Sequence, residues 1–323
     1  MNIGRFLAAF AAIAVAALVL PDAAHAWTPG THIYLGESVL ANLALLPASV
    51  SDLLRAFPFD FLYGNIAADA SLAKRYAPVG RHCHYWHVGR EIHENAPSDA
   101  LRAFGLGYLS HLAADVVAHN HFVPRQLLVT STTSGVGHSY WETRIETHLG
   151  DAYARLAKDV ILLDHRHADS HLDRIIAPTI FSVRTNRRIF RGMVHITEMP
   201  TWQRSMQVAR DHSRWPLSDL DVERHLARSF ENIMELLHDD TGPACEADPS
   251  GETPLRSAKL IRRELLRDNG RRDVRRLHAA AEEHYGLARE RLSFWENMKR
   301  RLPWTPADEV VKPATLLRNR GLG

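Results

Sequence analysis

Only two cysteines occur in 323 residues, which excludes a disulfide-rich scaffold and a Cys-rich structural zinc site. An excess of one charge is also missing. Thirty-nine Lys plus Arg meet 37 Asp plus Glu for a net charge of +2, so no global field exists to gather nucleic acid or dock the whole molecule on an anionic membrane. With 46% apolar and 24% charged residues, the chain is neither disordered, nor a fibre, nor a multi-span membrane protein, and a packed core is expected. Period-2 alternation is almost absent, which argues against sheets. Histidine is abundant instead: its 20 copies exceed both Gly (18) and Pro (16), and imidazole is a frequent metal ligand and acid-base group.

The amino terminus reads as a targeting segment. After Arg5, Phe6 to Leu20 form an apolar run of 15, followed by Pro21 and the small-x-small pattern Ala24-His25-Ala26. The run is shorter than the ~20 residues of a membrane span, so cleavage before Trp27 and export, to a periplasm or the exterior, are expected. In an oxidising compartment Cys83 and Cys245 could pair, or Cys83 could be a buried thiol or a soft ligand; the sequence leaves these open.

Apolar residues recur at spacings of three and four over 33–46, 99–119, 139–158 and 220–238, so an all-α fold is expected. Breakers fall at Pro58, Pro78 to Gly80, Pro97, Pro124, Pro178 and Pro216. The segment 241–254 has too little apolar content to form a packed element and reads as a linker or loop. The organisation is then 1–26 signal peptide, 27–240 helical domain, 241–254 linker, and 255–323 carboxyl-terminal extension. Within the extension a basic stretch, 256–278, precedes an Ala/Leu/Glu-rich helix, 279–300, and the two read as a helical hairpin added to the bundle.

The densest chemical signal is His111-Leu-Ala-Ala-Asp115-Val-Val-Ala-His119-Asn-His121. At 100° per residue His111, Asp115 and His119 form one stripe, at roughly 0°, 40° and 80°, inside an otherwise apolar helix. His121 would point roughly 80° to the other side, and joins only if the helix ends or bends before Pro124. His138 and Glu142, at i and i+4, project together and can grip one ion, although a surface ion pair explains them as cheaply. His82, His84 and His87 crowd one loop, and Asp69 lies among small residues. Trp27 and His32 read either as an α-amine chelate created by cleavage or as a buried aromatic and a plain polar residue. His165 to His171 reads as a polar turn rather than another metal site.

In this order the residues resemble the zinc-dependent phospholipase C family, which shares a helical fold with S1/P1-type nucleases and with the amino-terminal domain of glycosylphosphatidylinositol-specific phospholipase D. The family pattern is met by Trp27, His32, Asp69, His84 (or His82), His111 with Asp115, His119 or His121, and His138 with Glu142. Thr31-His-Ile-Tyr-Leu-Gly and Ser110-His-Leu-Ala-Ala-Asp-Val look closest to the phospholipase D branch, which favours His119; bacterial phospholipase C spacing favours His121. The resemblance covers roughly 27–160. It implies three zinc ions: one held by Asp69, His84, His111 and Asp115, a second by His119 (or His121), His138 and Glu142, and a third by Trp27 and His32 through a shared Asp115. Asp69, Asp115 and Glu142 are the expected catalytic residues.

The expected function is an exported zinc phosphodiesterase acting on phospholipid headgroups, with the choice between C-type and D-type cleavage open. An S1/P1-type nuclease or nucleotidase is the alternative from another substrate class, and would use aromatics such as Tyr85 and Trp86 as base platforms. A non-catalytic zinc-binding surface protein is the third reading. No protein partner is inferred. The basic stretch from Arg256 to Arg276 could rest on anionic headgroups, but its interspersed Glu264, Asp268 and Asp273 suit a solvated helix face better.

Overall fold

The computed structural model describes residues 27–72, 74–130, 135–197, 199–240, 242–268 and 273–299. The stretch 1–26, on which the export signal is read, and the tail from 300 onward lie outside them. Among the described residues the secondary structure is helical throughout, with no strand, as the three-and-four spacing predicts.

The bundle is organised around α5, Asp99–Val117, most of whose residues are buried. Ser98 starts it by accepting a hydrogen bond from the Leu101 amide, and Asp99 places a carboxylate in the first turn. Around it pack α1 (Pro29–Ala41), α2 (Ala48–Ala56), α3 (Pro58–Ala67), α4 (Trp86–Glu94) and α12 (Asp219–Asp239). The α3–α5 crossing is close enough to need two glycines. A Cβ at Gly64 would meet Phe104 O at 2.1 Å, and one at Gly107 would meet Phe61 O at 2.1 Å. This backbone contact carries the end of α3, with Asn65 and Asp69, up to the buried face of α5.

At its carboxyl end α5 runs into a π-helical turn, Ala118–Phe122, and then α6, Val123–Thr130. Pro124 has no N–H to donate back to residue 120, so the i−4 ladder is interrupted where the wider turn forms. The periodic stretch 139–158 proves to be two helices, α7 (Gly135–Leu149) and α8 (Asp151–Ile161), because Gly150 adopts φ 80° and breaks the run. They are followed by α9 (Arg166–Ile175), α10 (Val183–Thr197) and α11 (Pro200–Asp211).

The carboxyl-terminal part differs from its reading in two respects. The second helix of the hairpin lies earlier than expected: α13 (Glu252–Asp268) is followed by α14 (Val274–Tyr285), which ends at Gly286, and only the single turn α15 (Ser293–Glu296) follows. The basic face is also not simply solvated. Ala258, Leu277, Ala281 and Tyr285 bury against Leu128 and Val129 of α6. Arg262 is buried and donates to the carbonyls of Leu128 and Val129, both at 2.7 Å, placing a cation on the last carbonyls of α6.

Candidate metal centre

Six helical or loop segments of the first half deliver side chains to one buried point. α1 brings His32, the turn after α3 brings Asp69, and the loop before α4 brings His84. α5 supplies His111 and Asp115, the π-turn His119, and α7 His138 and Glu142. His84 Nε2 lies 3.0 Å from Asp115 Oδ2 and 3.4 Å from Asp69 Oδ1. His111 Nε2 lies 3.1 Å from Asp115 Oδ2 and 3.0 Å from His84 Nε2, while His32 Nε2 approaches Asp115 Oδ1 at 3.3 Å. His138 Nε2 lies 2.7 Å from Glu142 Oε1, and the His119 and His138 rings meet edge to face at 5.2 Å. Four sets have ligand atoms within 4.8 Å of one another: His32, His111 and Asp115; Asp69, His84 and His111; His119, His138 and Glu142; and His82, Cys83 and His84.

Burial makes this convergence costly without a cation. Both nitrogens of His32, both oxygens of Asp115, His138 Nε2 and Glu142 Oε1 are buried and make no hydrogen bond. Burial would raise the Asp115 carboxyl, but the imidazole of His111, with contacts from His111, His32 and His84, holds it well below the usual range. Burial, then the charges of Asp69 and Asp115, pushes Glu142 well above its usual value. Burial pushes His138 well below its usual value, with His119 adding to the effect. Five imidazoles and three carboxylates fit a borderline divalent ion such as zinc, which satisfies bare nitrogen and oxygen lone pairs together.

The rings are held from behind. His111 Nδ1 donates to Asn65 O at 2.9 Å and His119 Nδ1 to Pro249 O at 2.5 Å, so Nε2 of each is turned towards the cluster. The π-turn also separates the two candidates in this stretch. A wider turn advances each residue by less than 100°, which keeps His119 over Asp115 and swings His121 away, its Nδ1 3.3 Å from Tyr285 O. His82 lies beside His84 in one of the four sets, its Nδ1 accepting from the His84 amide at 3.1 Å. The Trp27 side chain is not a ligand: its indole donates to Ala114 O at 3.1 Å, the carbonyl next to Asp115. Trp86 is held by Ala247 O at 2.9 Å. Cys83 and Cys245 are both free thiols, Cys83 against His84 Nδ1 at 3.2 Å. His165 precedes α9 at its N-cap position and His171 lies within that helix rather than in a turn, and they bind the carbonyls of Val160 at 2.7 Å and Ile92 at 2.8 Å.

Sequence reasoning missed two contributors. Lys74 is buried, with Nζ 3.0 Å from Asp69 Oδ1 and 3.2 Å from His84 Nε2. Burial pulls its pKa down, but the charges of Asp69, Cys83 and Asp115 together outweigh this and raise it, so the ammonium stays charged. No periodicity marks it, because it lies in an irregular stretch. The second is the segment 241–254. Its carbonyls hold His119, Trp86 and, through Asp248 O at 2.9 Å, Asn120, and Gly251 at φ 60° lies against the His119 backbone. Composition identifies a loop there but not what it touches.

The cluster opens onto a cleft of about 590 Å³, whose lining includes Lys74, His84, Tyr85, His119 and His138, with α13 as its outer wall. Residues 31–184 match the profile of the family described as zinc dependent phospholipase C. No curated protein and no solved structure matches the chain.

Burial also sets the pH response of the metal-free fold. It depresses His32, His119 and, away from the cluster, His225 to about 4. The unfolded chain takes up each proton near pH 6.5, so this stability is complete above 6.5 and is lost as pH falls towards 4. At pH 5 each histidine should contribute about 2 kcal/mol of that loss. Thermal melts in chelator should therefore show Tm falling steeply from pH 7 to pH 5, with a shallower slope for His225→Gln. A Tm flat over that range would contradict the buried neutral imidazoles.

Proposed function

We propose that the chain is an exported zinc-dependent phosphodiesterase that hydrolyses phospholipid headgroups in the manner of a phospholipase C. The observation that carries this reading is the convergence of five imidazoles and three carboxylates at the floor of an open cleft. Asp69, His84, His111 and Asp115 would hold one ion, and His119, His138 and Glu142 a second. His32 would hold a third with Asp115, joined by the α-amine of Trp27 once cleavage frees it. Such ions supply Lewis-acid charge that lowers the pKa of water and neutralises phosphate oxygens in an in-line displacement.

The chain's own residues set the stage for that chemistry. Asn65 and Pro249 hold two imidazoles by Nδ1, which turns Nε2 of each towards the cluster. Lys74 pairs with Asp69 and adds a cation at the cleft floor. Tyr85 lines the cleft whereas Trp86 is not among its described lining residues, which leaves one Phe, Tyr or Trp ring for stacked bases there.

Zinc-loaded protein beginning at Trp27 should release diacylglycerol and a phosphorylated headgroup from phospholipid. Phosphatidic acid with a free headgroup would indicate D-type cleavage instead. Nucleotides released from single-stranded DNA with no lipid cleaved would overturn the lipid reading in favour of the nuclease. Retaining an extra residue before Trp27 should lower zinc content by elemental analysis, and equal content in both forms would remove the amine from the ligand set.

A further inference from the structure

The outer wall of the cleft belongs to this chain's carboxyl-terminal half, outside residues 31–184. Glu252, Leu255, Arg256 and Lys259 of α13 all line it, at i, i+3, i+4 and i+7, so one face of the helix looks across the cleft. The face is anchored rather than loosely apposed. One turn further on, Arg262 grips the end of α6, and Ala258 packs against the same helix.

The charge on that face is one-sided. Lys74, Arg256 and Lys259 line the cleft as cations, and Glu252, a carboxylate on the same wall, is bound by Arg256 at 2.6 Å between Nη2 and Oε1. The Lys259 ammonium is near enough to act on His138 across the cleft. Tyr85 is the one Phe, Tyr or Trp among the described lining residues. A quaternary ammonium would therefore find neither an aromatic cage nor an uncommitted carboxylate. A second anionic group, attached to a headgroup whose phosphodiester lies on the cluster, would face the Lys259 ammonium and an Arg256 guanidinium that shares its N–H donors with Glu252.

We infer that α13 is a selectivity wall, and that Arg256 and Lys259 make the cleft prefer headgroups carrying a further phosphate over zwitterionic choline headgroups. The inference rests on the proposed lipid reading and specifies its substrate class. Long-range attraction to an anionic vesicle would mimic this preference, so monomeric short-chain lipids separate the two.

Two measurements test it. With zinc-loaded full-chain protein, kcat/KM for short-chain phosphatidylinositol 4-phosphate should exceed that for short-chain phosphatidylcholine by about tenfold, a preference that shrinks with salt. Arg256→Glu and Lys259→Glu should each reduce that ratio, and the charge-neutral Arg256→Gln and Lys259→Gln should do so by less, with melting curves confirming that the variants fold. Calorimetric titration should show inositol 1,4-bisphosphate binding more tightly than phosphocholine or inorganic phosphate, and the wall variants should erase the difference. Equal turnover of both lipids, a preference for phosphatidylcholine, or binding of inorganic phosphate as tight as that of the bisphosphate would overturn the wall while leaving lipid hydrolysis standing. Preferential cleavage of single-stranded DNA would assign the basic wall to a nucleic-acid strand and overturn both. Zinc-loaded protein that cleaves neither lipid nor DNA would overturn the functional reading, and the bisphosphate titration would then decide the wall by itself.

Discussion

Asp115→Ala should abolish turnover and lower zinc content, while helix content by circular dichroism stays close to that of the parent protein. Three imidazoles, of His32, His84 and His111, lie within 3.0 to 3.3 Å of its two oxygens. Among the described residues no other carboxylate is approached so closely by imidazoles from α1, α5 and the loop before α4. Loss of an outer partner of a ligand lowers metal affinity or activity by about 10–100-fold, so removal of the carboxylate itself should cost on the order of a thousandfold or more. The folded state should tolerate the change. The three rings remain in place, and the residue lost is an anion held in burial that opposes its charge. Asp115→Asn separates charge from shape: it should keep the packing yet still lose zinc. Full zinc content and parental kcat in either variant would show that Asp115 is not the shared carboxylate.

The second large effect is expected far along the chain, at Gly251. Its φ of 60° disfavours any side chain, and a Cβ would lie 2.3 Å from His119 Cβ and 2.8 Å from His119 O. Neither neighbour is the free end of a flexible chain, so the loop must move, and with it the Pro249 carbonyl that holds His119 Nδ1. Gly251→Ala should weaken zinc binding at the His119, His138 and Glu142 set by about 10–100-fold, read by competition with a chelator. It should also destabilise the fold by about 1–3 kcal/mol. Zinc affinity equal to that of the parent would mean that this loop packs beside the centre without holding it.

Particular residues show how far the sequence could be read. The stripe of His111, Asp115 and His119 follows from helical period alone, because residues four apart must share a face, and the structure leaves that stripe almost where the arithmetic puts it. His138 and Glu142 were readable for the same reason. The choice between His119 and His121 depended on a π-turn, whose register is set by packing around Pro124. Asp69 and His84 lie in irregular backbone, where spacing carries no directional information, and were placed by resemblance before the Gly64–Gly107 crossing supplied a physical reason for the position of Asp69. Lys74 gave no signal at all. The split of 139–158 at Gly150 was missed because a glycine inside a helical pattern is tolerated as often as it breaks one.

The sequence by itself determined the helical class, the polar stripes on α5 and α7, and a ligand inventory too rich in imidazole to be a plain core, since these depend on local periodicity and residue chemistry. Only the tertiary structure decided that side chains from separate elements share one buried point, that the loop ending at Gly251 holds His119, and that α13 closes the cleft with cations. Contacts between residues more than a hundred positions apart are fixed by how helices cross and which carbonyls are left to bond at their ends, and neither is written in the spacing of any one segment.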